Sequence, residues 1–179
     1  VSTPSYAVRI RLARPSDLRH LAAVEDSGAP LFEELFGAAL APVLVEPARS
    51  GRDRDLDGIF LLVAEETGSG TVVGFAHVRE VEGHAHLEQL SVRPEHGRRG
   101  TGAALVAAAE EEARWLGYDE LSLCTYREVP WNGPFYRRLG YREAGPLAPW
   151  QQRLHDHEVE LGLDVNGVRV VMARPLRRR

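Results

Sequence analysis

Val8-Arg9-Ile10-Arg11-Leu12 alternates between apolar and basic side chains, the period of a half-buried strand. Pro15-Ser16-Asp17-Leu18 then reads as a helix start with Ser16 as N-cap, and Leu18, Leu21, Ala22 and Glu25 recur at helical spacing. A second helix is predicted over residues 30–44, with Phe32, Leu35, Phe36 and Leu40 on its apolar side. Residues 46–58 are polar and rich in breakers, and read as a surface loop. Two β-rich runs, residues 59–65 and 71–80, flank Thr67-Gly68-Ser69-Gly70 and predict a hairpin; residues 84–92 make a further strand. The period then changes. Residues 100–116 form an alanine-rich helix whose apolar side carries Leu105, Ala108, Ala109, Trp115 and Leu116, interrupted by Glu112 and stopped by Gly117. A strand over 120–125, a short helix over 132–139, a strand from 141 to 144, a helix over 151–161 and a closing strand over 168–173 follow. The order β-α-α-β-β-β-α-β-α-β-β predicts an α/β (α+β) fold, a central mixed sheet with helices on its faces.

Composition narrows the class. The chain has 179 residues, 44% hydrophobic and 27% charged, the size and balance of a single domain able to bury a core. The domain is expected to span residues 1–179, with a core over 8–144 and an extension over 145–179 that completes the sheet and a substrate pocket. A net charge of −4 argues against nucleic acid held by bulk charge, and Arg177-Arg178-Arg179 reads as a frayed tail. The single cysteine, Cys124, excludes an intrachain disulfide and suits a reducing cytosol. No apolar run approaches the roughly 18–20 residues that cross a bilayer. The N-terminus, which begins at Val1, lacks the basic-then-apolar layout of a secretory signal. A cytoplasmic protein with neither membrane nor nucleic-acid partners is expected.

Candidate chemistry concentrates in residues 87–113. A strand ends at Val92-Arg93-Pro94, a loop carries Gly97, Arg98 and Arg99, and Gly100-Thr101-Gly102 opens the long helix. A helix N-terminus leaves backbone N–H groups unpaired and carries a positive partial charge, so it suits phosphate. Glycine lets the chain approach a bulky anion, and the two arginines can add charge-assisted contacts. The dinucleotide pattern GxGxxG fails because Leu105 stands where its third glycine belongs, and the phosphate-loop pattern fails for want of Gly-Lys-Ser/Thr.

Leu90-Ser91-Val92-Arg93-Pro94 followed by Gly97-Arg98-Arg99-Gly100-Thr101-Gly102, together with Phe135-Tyr136-Arg137-Arg138-Leu139-Gly140-Tyr141 after an intervening strand, resembles the GCN5-related N-acetyltransferase superfamily. Gly97 departs from that pattern, which has Gln or Arg there. Asn132 resembles the Asn at the start of the family's last helix but lies four residues before Tyr136 rather than about two turns. The resemblance implies a splayed sheet that takes acetyl-CoA between two neighbouring parallel strands. The main chain of Leu90, Ser91 and Val92 would pair with the pantetheine arm. The amides of Arg98, Arg99, Gly100, Thr101, Gly102 and Ala103 would hold the diphosphate, with Asn132 also on the cofactor.

The implied reaction needs a neutral amine to attack a thioester. An amine of pKa about 10.4 is only about one part in a thousand neutral near pH 7.4, so a base must take its proton and an acid must serve the leaving thiolate. His84, His86 and Glu88 alternate along one strand and so share a face. The resemblance makes Glu88 the first choice of base and His86 the second; ordinary polar strand positions or a His-x-His metal site are the competing readings. Tyr136 is the expected acid, with helix packing as its alternative. Cys124 reads as a core filler rather than a thiol nucleophile. Glu110-Glu111-Glu112 and the stretch with His155 and His157 read as solvated helix faces.

The acceptor pocket is expected from residues 26–44 and 145–167. Glu33 and Glu34 would attract a cation, and Phe32, Phe36 and Trp131 would form apolar walls, with Trp150 as pocket or packing. The expected function is acetyl transfer to a small-molecule amine in a ternary complex. A protein or peptide acetyltransferase and a non-catalytic acyl-CoA sensor are the alternatives. A homodimer through the last strand is compatible with the sequence.

Overall fold

The computed structural model describes residues 7–176, so the Arg177-Arg178-Arg179 tail lies outside the described residues. Five strands precede the last crossover: β1 (Val8–Leu12), β2 (Phe60–Glu66), β3 (Val72–Val81), β4 (His84–Val92) and β5 (Glu120–Tyr126). They are joined by β6 (Arg142–Glu143) and β7 (Arg169–Pro175) in one seven-stranded sheet of order β1-β2-β3-β4-β5-β7-β6. The helices are α1 (Leu18–Asp26), α2 (Ala29–Phe36), α3 (Gly51–Asp57), α4 (Thr101–Trp115), α5 (Gly133–Arg138) and α6 (Pro149–Glu160).

Alternation along β2 splits the core into two layers, since successive side chains leave opposite faces of a strand. Leu61 and Val63 meet Leu21 and Val24 of α1, with Val72 and Phe75 beside them. Leu62 and Ala64 point the other way, into a layer where Leu105, Val106, Ala109 and Ala113 of α4 pack on Val73, Ala76, Val78, Ala85, Leu87, Leu121, Leu123 and Met172.

Two irregularities matter for function. Every neighbouring pair of strands is antiparallel except β4 and β5, whose parallel ladder runs only through Ala85↔Leu121, His86↔Ser122 and Leu87↔Leu123. Beyond it the strands part, β4 staying with β3 and β5 with β7. The β3–β4 register also slips, with His77 opposite Gln89 but Val78 opposite Leu87. Glu88 is therefore the extra residue of a β-bulge, a device that re-aims side chains.

The structure corrects several expectations. Asp17, not Ser16, precedes α1; its carboxylate accepts the Arg14 N–H at 2.7 Å and pairs with Arg11 at 2.6 Å. The Arg11 hydrogen bonds hold that carboxyl below its usual range. The helix predicted over 30–44 ends at Phe36, because Gly37 turns left-handed at φ +53°, and only two short 3₁₀ turns follow. Within the supposed loop lies α3, capped by Ser50, whose hydroxyl accepts the Asp53 N–H at 3.1 Å. The buried side of α4 is rotated from the expected one: Val106, Glu110 and Ala113 face inward, while Trp115 stands 80% exposed. Glu110 is not solvated; both of its oxygens accept from Arg174 of β7 at 2.9 Å. Helix α6 joins the order between β6 and β7.

Candidate active site

The turn after β4 is built by backbone conformation. Arg93 donates to Val73 O at 2.8 Å, which fixes the strand end, and a 3₁₀ turn over Pro94–His96 closes with Gly97 N–H on Pro94 O at 3.0 Å. Arg98 then adopts φ +57° and Gly100 φ +84°. The left-handed region disfavours side chains by about 1–2 kcal/mol, so glycine suits position 100, and Arg98 holds its conformation against that cost. Gly100 is the N-cap of α4 and makes no side-chain cap hydrogen bond. First-turn amides have no intrahelical acceptors, and Gly102 and Ala103 line the cavity there.

That cavity, about 1550 Å³, passes through the opening between β4 and β5. It is lined by His86, Glu88, Leu90, Ser91, Val92, Arg98, Gly100, Gly102, Ala103, Asn132 and Tyr136, so these predicted residues come together. Two do not: Thr101 is buried inside the first turn, and Arg99 is exposed away from the lining.

Around the sheet opening, Tyr136 reaches the cavity from α5. Its N–H donates to Asn132 O at 3.0 Å, and its ring packs against Phe135 and Tyr141 at centroid distances of 5.0 and 5.7 Å. Burial lifts the phenol well above its ordinary range, so it carries its proton. The start of α5 is set by Gly133, which the sequence reading passed over. A Cβ there would lie 2.2 Å from Arg127 O, so only glycine allows this approach. The signal was present in the punctuated run Pro130-Trp131-Asn132-Gly133-Pro134.

The three residues expected on one face of β4 separate. His84 stacks on Trp150, rings 4.3 Å apart and 12° from parallel, and does not line the cavity. His86 is buried, its Nδ1 2.9 Å from Ser122 Oγ, which itself donates to Ala85 O at 3.2 Å. With the hydroxyl proton so used, Nδ1 donates to Ser122. Burial pushes the imidazolium down to about 4, so the ring is neutral. Glu88, on the bulge, is half-buried and faces Arg79, with NH1 3.4 Å from Oε1. No group of three or more His, Cys, Asp or Glu among the described residues is arranged to hold a metal. Cys124 lines the cavity, but burial raises its thiol well above the ordinary range and removes the thiolate a nucleophile needs.

Behind Glu88 stands a polar chain that the sequence did not suggest. Arg79 Nε lies 3.6 Å from Asp57, which also takes Arg49 at 2.8 Å and faces His77 Nε2 at 3.3 Å. His77 Nδ1 is 3.5 Å from Arg54, and Arg54 pairs with Glu25 on the cavity wall. Burial drives His77 down to about 4 and lowers Arg54.

Of the residues expected around an acceptor, some line the far end of the cavity and some do not. Phe32, Glu34, Leu35 and Trp131 line it, as do Leu154, His157, Glu158 and Leu161 of the C-terminal part; Glu33 and Phe36 do not.

A parallel pair that splays over a bulge leaves an open strand edge beside the first turn of a long helix, both on one cavity. The profile of the acetyltransferase (GNAT) family matches residues 22–141, and the chain belongs to that family. It is an acyltransferase. Among solved structures, the N-acetylglutamate synthase of Neisseria gonorrhoeae, complexed with coenzyme A and N-acetyl-glutamate, is 20% identical with a TM-score of 0.68 over 97% of this chain, which spans 36% of that one. The PaiA N-acetyltransferase of Thermoplasma acidophilum, bound to coenzyme A, is 18% identical with a TM-score of 0.67, covering 94% of this chain and 99% of the other. The ribosomal-protein-S18-alanine N-acetyltransferase of Escherichia coli is 20% identical with a TM-score of 0.61, covering 97% and 96%. These likenesses establish the fold, and their acceptors range from an amino acid to a protein.

The residues present fit acetyl-CoA, the family's donor substrate. Residues 88–92 of β4 have no strand on their β5 side, and an added Cβ at Gly102 would touch Phe135 only at 3.4 Å. The protein's own packing therefore does not require glycine at 102, whereas a diphosphate drawn close to the main chain does. No helix among the described residues is long and apolar enough to cross a membrane.

Proposed function

We propose that the chain is one cytoplasmic catalytic domain, residues 145–176 completing its pocket, that acetylates the primary amine of a small molecule by direct attack in a ternary complex. One observation carries this: a single cavity joins the phosphate-fitting turn to an acid-rich end, with Glu88 and Tyr136 both on its wall. The main chain of Leu90 and Val92 pairs with the pantetheine arm as an added strand does. Amides at Gly102 and Ala103 and the Arg98 guanidinium receive the diphosphate. Glu88, directly or through water, takes a proton from the incoming ammonium. The amine nitrogen then bonds to the thioester carbon while the Leu90 N–H receives the developing oxyanion. The C–S bond breaks, Tyr136 gives the thiolate its proton, and the nitrogen now bonded to the acetyl carbon sheds its second proton to the tyrosinate, which restores the phenol. His86, held neutral and pointed by Ser122, orients the β4 end beside Glu88 and is the weaker base.

Glu88→Gln and Tyr136→Phe test the assignment. Each lowers kcat roughly 10²- to 10⁴-fold, with coenzyme A affinity by calorimetry within about twofold. Undiminished turnover in both removes these two roles.

A further inference from the structure

Helix α2 is apolar along Ala29-Pro30-Leu31-Phe32 and again at Leu35-Phe36, yet none of its residues is buried. A helix of this composition ordinarily hides such a face in a core. Here Ala29, Leu31, Phe32 and Leu35 face the cavity instead. Phe32 centres an aromatic box, edge-on to Trp131 at 5.5 Å and 70°, tilted against Tyr126 at 6.4 Å and stacked on Phe36 at 6.2 Å. Tyr126 is pinned by its hydroxyl, which donates to Leu163 O at 2.7 Å. Phe32, Tyr126 and Trp131 all line the cavity; Trp131 stays 36% exposed, while Tyr126, 2% exposed, backs the other two rings as a floor.

The charges around the box have one dominant sign. On α1, α2, the stretch after α2, β4 and α6, the lining carries Glu25, Asp26, Glu34, Glu46, Glu88 and Glu158. Against these stands Arg169, whose Nε donates to Glu158 at 2.9 Å and whose guanidinium lies 4.4 Å over the Tyr126 ring. Arg169 is thus already engaged and does not offer itself to a carboxylate. Arg54 offsets Glu25 and Arg79 offsets Glu88, which leaves Asp26, Glu34 and Glu46 as surplus negative charge. Arg98 and Arg138 line the cavity from the glycine turn and α5, where a diphosphate belongs. The spacing is short. From the last β4–β5 pair, Leu87↔Leu123, Tyr126 lies three residues on and Glu88 one, an offset of about 7 Å along the strands.

We infer that the acceptor is an arylalkylamine without a carboxylate: an aromatic ring held by Phe32 and Trp131 above the buried Tyr126, with its amine on a short alkyl spacer reaching Glu88. The inference rests on the acetyl-transfer reading above and adds the substrate class.

Two measurements test it separately from that reading. Calorimetry on the protein saturated with coenzyme A uses tryptamine, tryptophan, putrescine and a short peptide with an N-terminal Trp; free-thiol release follows the same amines with acetyl-CoA. Tryptamine is expected to bind and to show kcat/KM at least 100-fold above tryptophan and putrescine, and above the peptide. Trp131→Ala raises KM for tryptamine at least tenfold with coenzyme A affinity unchanged, and Trp131→Phe restores most of it. Putrescine, tryptophan or the peptide equal to or better than tryptamine overturns the inference and leaves acetyl transfer standing, as does turnover of any amine with no binding of tryptamine. Tryptamine bound with no thiol release keeps the aromatic pocket and strikes down the transfer.

Discussion

The two ends of the cavity are made from different materials. The end proposed for the donor is main chain: a strand edge left open by the β4–β5 split, two left-handed residues, and the first amides of α4, all within residues 87–103. The end proposed for the acceptor is side chain: Glu25 from α1, Phe32 from α2, Glu158 from α6 and Arg169 from β7, with Arg79 of β3 behind Glu88. A donor shared across a family can be held by groups every residue possesses, so its site depends on glycines and register. An acceptor that differs between enzymes has to be read by side chains gathered from the whole fold.

The most direct way to break this contrast is to put a side chain where the donor end uses none. Gly102→Leu projects a branched chain from a position where a Cβ makes only ordinary contact, 3.4 Å from the Phe135 ring. Coenzyme A affinity is expected to fall roughly 100-fold, about 2.7 kcal/mol, while thermal stability holds, because leucine favours a helix over glycine. Calorimetry and a melting curve on one sample read both. Unchanged affinity would mean that the diphosphate lies elsewhere.

Acid should find the acceptor end first. His77 and His86 lie buried beneath and beside it, and burial lowers both to about 4. An unfolded histidine titrates near 6.5, so between about 6.5 and 4 the unfolded chain binds protons that the folded one refuses. Stability is complete above 6.5 and drains as pH falls toward 4, by about 2 kcal/mol per histidine between pH 7 and 4.5. Urea unfolding at those two pH values measures the drop. His86→Asn or His77→Gln should each shrink it by that amount, and a drop of the same size in both variants would assign the acid sensitivity to carboxylates instead.

Legibility in the sequence followed the same division. Gly100 and Gly102 sit beside the strand they follow, so the candidate turn could be read from one stretch of sequence, and the resemblance gave it the diphosphate as its proposed ligand. Arg79, Asp57 and Arg54 gave no such sign. They face Glu88 and Glu25 only because the β3–β4 bulge and α3 bring them there, and α3 was hidden by breaker residues although Ser50 and Asp53 carried a capping signal. The helix predicted over 30–44 overran because Phe32, Leu35 and Phe36 keep a helical period without a core to bury it; the cavity stands where the core was assumed.

Arg79→Met probes the polar chain behind Glu88, the proposed base. It leaves Glu88 without the guanidinium at 3.4 Å and Asp57 without the one at 3.6 Å. A carboxylate free to swing spends less time aimed at the amine, so kcat is expected to fall about tenfold, a change of 1.36 kcal/mol in barrier. Coenzyme A affinity should not move, since no donor-end contact changes. Arg79→Lys keeps the charge and should recover part of the loss; equal damage from Met and Lys would make Arg79 a packing residue.

The smallest effect belongs to Trp115. Periodicity put it on the apolar side of α4 with Leu105 and Ala109, yet it is 80% exposed, because Glu110 occupies the inner face through its pair with Arg174. Alanine is what allowed the misreading: Ala108, Ala109 and Ala113 suit either side, so Leu105 and Val106 set the buried face, and Glu110 shares it through its pair with Arg174. Trp115→Gln should therefore change stability by less than about 0.5 kcal/mol and leave donor affinity and acceptor KM alone. Leu105→Ala, from the fully buried side of the same helix, should cost about 2–5 kcal/mol in urea unfolding. Comparable losses in the two variants would mean that α4 packs on the sheet with its predicted face, and the Gly102 and Ala103 amides would then no longer point into the cleft.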